Sequence, residues 1–131
     1  MLVSQLIELA KQAAGHSYAP YSGFNVGAAL LSADGEIFLG CNIENSSYTP
    51  TVCAERVALF KAVSEGKTRF ESIAIVGGRS GEFADFTPPC GVCRQALSEF
   101  CDENFKIYLG NNTGNYKVYT LSELLPETFG L

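Results

Sequence analysis

The sequence predicts an α/β fold of three layers, α/β/α, around a five-stranded mixed sheet in the order αββαβαββα. Three observations lead there: apolar residues recur at helical spacing in three segments, short strand-like runs lie between those segments, and turn residues join two pairs of runs as hairpins. Elements alternating in this way bury their apolar faces as layers, with helices on both sides of the sheet. With 131 residues, 47% hydrophobic and 18% charged, positions 1–131 are expected to form one domain about one core.

Leu2, Leu6, Ile7, Leu9, Ala10, Ala13 and Ala14 follow spacings of three and four, which predicts a helix from 2 to about 15, ended by Gly15. Tyr18 to Gly23, with Pro20, reads as a loop. Val26–Ser32 and Ile37–Cys41 read as antiparallel strands joined by Ala33-Asp34-Gly35, a good hairpin signal. Asn42 to Val52 is polar, contains Pro50 and reads as a loop feeding a buried second helix over Cys53–Ser64. Ser72–Val76 is expected to be a parallel strand in the middle of the sheet, stopping at Gly77-Gly78. From Gly77 to Pro89 no periodicity survives, and a loop of that length is expected to cover a site or make contacts. A third helix is expected from Gly91 to about Cys101. Phe105–Leu109 and Tyr116–Thr120 flank Gly110–Asn115 as an antiparallel pair, and Leu121–Leu125 is a short helix cut off by Pro126.

Nine basic against fourteen acidic residues give a net charge of -5, whereas a grip on a phosphate backbone normally needs a basic surface, so a polynucleotide substrate is disfavoured. Met1 to Tyr18 is interrupted by Gln5, Glu8, Lys11 and Gln12 and lacks the basic start and apolar run of a secretion signal. No apolar stretch is long enough to cross a bilayer. Five cysteines, Cys41, Cys53, Cys90, Cys93 and Cys101, are an odd number and fit a reducing, cytoplasmic setting better than a disulfide framework.

Clustered thiols in that setting point to metal or redox chemistry. Cys90-Gly91-Val92-Cys93 places two thiols one helical turn apart, where both can reach one ion. Alone, this Cys-x-x-Cys fits a redox pair or half of a structural zinc site as well as a catalytic one. Cys53-Ala54-Glu55 adds a third thiolate and a carboxylate in the first turn of another helix, whose positive dipole end stabilises thiolates. Arg56 can add a full positive charge there. Three thiolates would leave one coordination position for water, whose pKa on zinc falls to about 7, and would leave Glu55 free to shuttle protons. Read without the cysteines, Glu55 is a first-turn acid complementing the helix dipole. Cys101 lies about 16 Å along a continuous helix from Cys90, at ~1.5 Å per residue, and reads as a core cysteine. Cys41 and the only histidine, His16, stay open as a fourth ligand, although each is more simply structural.

Cys53-Ala54-Glu55 followed by Pro89-Cys90-Gly91-Val92-Cys93 resembles the signature of the zinc-dependent nucleoside and nucleobase deaminases. Beyond that core, the run from Tyr18 to Leu30, Gly40-Cys41-Asn42-Ile43-Glu44-Asn45 and Cys53-Ala54-Glu55-Arg56 resemble the small homotetrameric cytidine deaminases. The resemblance implies a hydrolase that deaminates free cytidine and deoxycytidine in pyrimidine salvage. It implies one zinc per subunit, held by Cys53, Cys90 and Cys93, with Glu55 carrying protons. It further implies that Asn42 and Glu44 bond the sugar hydroxyls, that the backbone around Ala54 reads the pyrimidine edge, and that Phe24 packs on the nucleoside. Phe129, in the Leu124–Phe129 tail, would serve a neighbouring subunit's site, which makes a homotetramer the expected form. Ordinary core packing is the alternative for both phenylalanines. The rival readings are a deaminase of a cytosine-containing antibiotic such as blasticidin, a noncatalytic zinc module with Cys41 as fourth ligand, and a thiol oxidoreductase using Cys90 and Cys93.

Overall fold

A computed structural model describes all 131 residues. In chain order the elements are α1 (Val3–Ala14), β1 (Phe24–Ser32), β2 (Ile37–Cys41), α2 (Ala54–Ser64), β3 (Phe70–Arg79), α3 (Gly91–Ser98), β4 (Lys106–Gly110), β5 (Tyr116–Thr120) and α4 (Leu121–Leu124). The sheet runs β2-β1-β3-β4-β5. Only β3 and β4 pair in parallel; β1 is antiparallel to both β2 and β3, and β5 is antiparallel to β4. The five-stranded mixed sheet and the element order therefore stand as expected. No helix is long and apolar enough to cross a membrane.

Side chains on a strand alternate between faces, and β1 shows it within four residues. Ala28 and Leu30 join the larger core with Ala58, Leu59, Ile73, Ile75 and Leu97, beneath α2 and α3. Ala29 and Leu31 join the smaller one with Leu6, Ile7, Ala10 and Ala14 of α1. A strand covered on both faces reads as one apolar run, which is why β1 lacks polar alternation in sequence.

Several boundaries differ from the sequence reading, and at the junction of β1 and β3 the difference has a tertiary cause. β3 does not stop at Gly77-Gly78 but continues to Arg79, because Phe24, Asn25 and Val26 of β1 pair with Arg79, Gly78 and Gly77. These are glycines for closeness rather than for a turn: a Cβ on Gly77 would meet the Thr87 side chain at 2.7 Å, and one on Gly78 would overlap the Glu82 carbonyl. The loop after β3 folds back over its end, with the Thr87 hydroxyl donating to the Gly77 carbonyl. β1 correspondingly starts at Phe24. α3 ends at Ser98 rather than near Cys101, and Cys101 packs against the larger core. Within the two loops that precede the sheet and α2, isolated bridges join Tyr18 to Ile43 and Ile43 to Val52.

At the β1–β2 turn, the Asp34 carboxylate accepts from Lys67 Nζ at 2.6 Å and from the Ser32 hydroxyl. Those bonds, Lys67 first, hold Asp34 down to about 2 from an ordinary 3.8. A depressed folded-state pKa gives stability that is complete above the unfolded value and is lost as pH falls through the folded one. Asp34→Asn is therefore expected to flatten the decline of Tm between pH 4 and pH 2, read by thermal melts, with no change in the shape of the curve above pH 5.

Candidate active site

Cys53 and Cys90 occupy equivalent places, each the extended residue capping a helix N-terminus, α2 and α3 respectively. Cys93 follows one turn into α3 and is fully buried, Cys53 is half-buried and Cys90 is exposed. The three sulfurs lie within 4.8 Å of one another, Cys53 to Cys90 at 3.6 Å and Cys90 to Cys93 at 3.5 Å. No fourth histidine, cysteine or carboxylate belongs to the group. Cys41 and His16 line a different groove of about 260 Å³ along the β2 edge, with Gln12, Leu39, Val57 and Lys61, so Cys41 does not complete a closed four-ligand set.

Glu55, at the second position of α2, is only 4% exposed, and its Oε1 has no hydrogen-bond partner. Burial, with the Cys53 charge adding to it, pushes the carboxyl up to about 7. A carboxyl poised there can both accept and release a proton at neutral pH. Cys53 moves the opposite way, down to about 5, through the hydrogen bond from Cys93 and the nearby Arg56 guanidinium, whose Nη2 lies 3.5 Å from the sulfur. Cys93 is raised in turn by that shared bond and by burial. For Arg56 burial alone would lower the pKa, but its bonds to Cys53 and Cys93 outweigh burial and raise it. Three soft donors, a counter-cation and an unpartnered buried carboxylate oxygen beside them fit zinc with one position left for solvent.

Of the remaining sequence-derived residues, Asn42, Phe24 and Glu44 are linked to one another by hydrogen bonds, directly or through Ser22. Ile43 pairs with Val52, one residue before Cys53, which brings the stretch from Asn42 to Glu44 alongside the chain that leads into Cys53. Asn42 is already engaged: its Oδ1 accepts from Val26 N at 2.9 Å and its Nδ2 donates to the Phe24 carbonyl at 2.8 Å. One amide hydrogen and one lone pair stay free for a ligand. Glu44 Oε1 accepts from the Tyr21 and Ser22 amides at 3.0 and 3.1 Å, and Oε2 accepts from the Ser22 hydroxyl. These bonds, the hydroxyl first, hold Glu44 below the usual carboxylate range, so it stays an ionised acceptor. Phe24 opens β1 and is partly exposed, while Ala54 is fully buried between Cys53 and Glu55. Phe129 is 68% exposed, and its carbonyl accepts from Gln95 Nε2 at 3.1 Å. The sequence reading missed Ser22, which also accepts from Phe24 N at 3.0 Å and whose carbonyl accepts from Arg79 at 2.9 Å. A serine in a loop carries no signal of this kind until the loop is folded onto Glu44.

Residues 2–109 match the family model described as the cytidine and deoxycytidylate deaminase zinc-binding region. The chain is 48% identical over 129 residues to a cytidine deaminase of Sporosarcina psychrophila, covering 98% of this chain and 92% of that one. It is 51% identical over 124 residues to one of Halalkalibacterium halodurans, covering 95% and 91%. The crystal structure of a cytidine deaminase from Burkholderia pseudomallei superposes with a TM-score of 0.90 at 44% identity, covering 98% of this chain and all of the other. The fold and the cysteine cluster thus define a zinc-binding deaminase. The chain belongs to the cytidine and deoxycytidylate deaminase family.

Proposed function

We propose that this chain, acting as a single domain over residues 1–131, hydrolyses the 4-amino group of free cytidine and deoxycytidine to give uridine or deoxyuridine and ammonia. The observation that carries the reading is the buried Glu55 carboxylate, with one oxygen unpartnered, beside three sulfurs that have no fourth protein ligand. Cys53, Cys90 and Cys93 would hold one zinc per subunit, which when bound activates water at neutral pH. Glu55 takes a proton from the attacking water and delivers it to the ring nitrogen. It then passes the second water proton to the departing amine, so that water enters and ammonia leaves. Arg56 offsets the negative charge of the sulfurs. The ionised Glu44 and the free valences of Asn42 accept from and donate to the sugar hydroxyls, Phe24 packs on the nucleoside, and the backbone at Ala54 reads the base edge.

Val92, in the turn between two of the cysteines, is 60% exposed and Tyr48 is 80% exposed, as Phe129 largely is. On this reading a homotetramer whose copies lend Phe129 to one another would cover exposed apolar groups such as these. The net charge of -5 disfavours a polynucleotide, and free nucleosides of pyrimidine salvage in the cytoplasm suit the site better.

The test is to follow the ultraviolet change of cytidine, deoxycytidine, cytosine and blasticidin with the purified protein. Loss of the two nucleosides alone is expected, abolished by a chelator and restored by zinc. Turnover of blasticidin in preference to cytidine, or turnover indifferent to metal, would overturn the reading. Light scattering on the same sample is expected to give four chains per particle.

A further inference from the structure

The chemistry above gives no role to Arg94, one residue past Cys93, yet its side chain ties the entry to α3 to a carbonyl thirty residues further along the chain. Its Nε donates to the Pro89 carbonyl at 2.8 Å and its Nη1 to the Leu124 carbonyl at 2.8 Å. The first carbonyl belongs to the peptide group whose nitrogen is that of Cys90. A peptide group is planar, so fixing this carbonyl fixes the direction in which the chain enters Cys90, held at φ -69° and ψ 166°. The second carbonyl closes α4, where a helix end leaves carbonyls without helical partners.

Burial shows why this matters more for Cys90 than for the other two thiols. Cys93 is enclosed by the core and Cys53 is partly covered, but Cys90 is exposed and is the least held by packing of the three. On the reading that the three sulfurs hold zinc, we propose that Arg94 is a positioning residue that locks the Pro89–Cys90 peptide against the end of α4, keeping the most exposed thiol in register with its partners. The planar guanidinium makes the two bonds in one rigid fork, which a lysine ammonium on a flexible stem does not reproduce. Groups that orient metal ligands without touching the metal commonly change affinity by about 10–100-fold.

The experiment is zinc release from the intact, metal-loaded protein into excess chromophoric chelator, at a temperature well below the melt. Arg94→Gln is expected to release zinc at least about tenfold faster, and Arg94→Lys severalfold faster despite its retained charge. Gln95→Ala removes only the bond to the Phe129 carbonyl and is expected to release at the wild-type rate. In the cobalt-substituted protein, Arg94→Gln is expected to weaken the thiolate-to-cobalt absorption, which general loss of stability would not do in a folded sample. A wild-type rate for either Arg94 variant, or equal acceleration by Gln95→Ala, would overturn the assignment. If Arg94→Gln is not recovered folded, the lysine variant decides alone. Wild-type protein that binds no zinc is a separate result, which removes the metal reading and this assignment with it.

Discussion

Glu55→Gln is expected to lower kcat for cytidine on the order of 10³–10⁴-fold, the upper part of what a positioned proton carrier contributes, while zinc content stays at the wild-type level. The amide nearly matches the carboxylate in volume, so the first turn of α2 and the sulfur of Cys53 keep their places. What it lacks is a site that accepts and then returns a proton near neutral pH, which burial gives the carboxyl by raising it to about 7. The same burial carries a stability cost, since Oε1 has no partner and the side chain is only 4% exposed. A neutral amide removes the charge penalty, so Tm is expected to hold or rise as activity falls. The ultraviolet assay, metal analysis and a thermal melt on one preparation check all three; turnover within tenfold of wild type would refute the role given to Glu55.

The features legible in sequence are those fixed by near neighbours. The spacing of Leu6, Ile7, Ala10 and Ala14 gives α1 its buried face, and Ala33-Asp34-Gly35 turns β1 into β2. The cysteine motifs were readable for the same reason: each is a short run at a helix N-terminus, and only their meeting required the fold. Gly77 and Gly78 misled because the cause of a glycine there is the loop from Glu82 to Thr87 lying on the strand, a contact that local sequence does not announce. The Tyr18–Ile43–Val52 bridges join segments more than twenty residues apart at one end, and Arg94 reaches a carbonyl thirty positions away. Phe129 is a different case, because its ring is largely exposed and the fold of one chain supplies no cover for it.

Gly40→Ala is expected to cost about 3 kcal/mol, the upper part of the overpacking range, and to lower Tm by roughly 10 °C for a chain of this size. Gly40 lies on β2 beneath α2, where an added Cβ would sit 2.6 Å from the Ala58 nitrogen and closer still to the Ala54 carbonyl oxygen. Both are backbone atoms of a helix, so no side chain can swing aside, and either α2 lifts or the edge strand moves. Lifting α2 displaces Ala54, the residue between Cys53 and Glu55, and this makes the glycine a condition of the site as well as of the packing. Activity is therefore expected to fall even at temperatures where the variant is fully folded, together with faster zinc release. Gly130→Ala is the matched control, since nothing lies within 4 Å of its added carbon, and it is expected to leave Tm unchanged. If Gly40→Ala melts and turns over like the wild type, then close seating of α2 on β2 is not a condition of the site. The convergence of the three sulfurs would then have to be set by some contact other than the seating of that helix on the sheet.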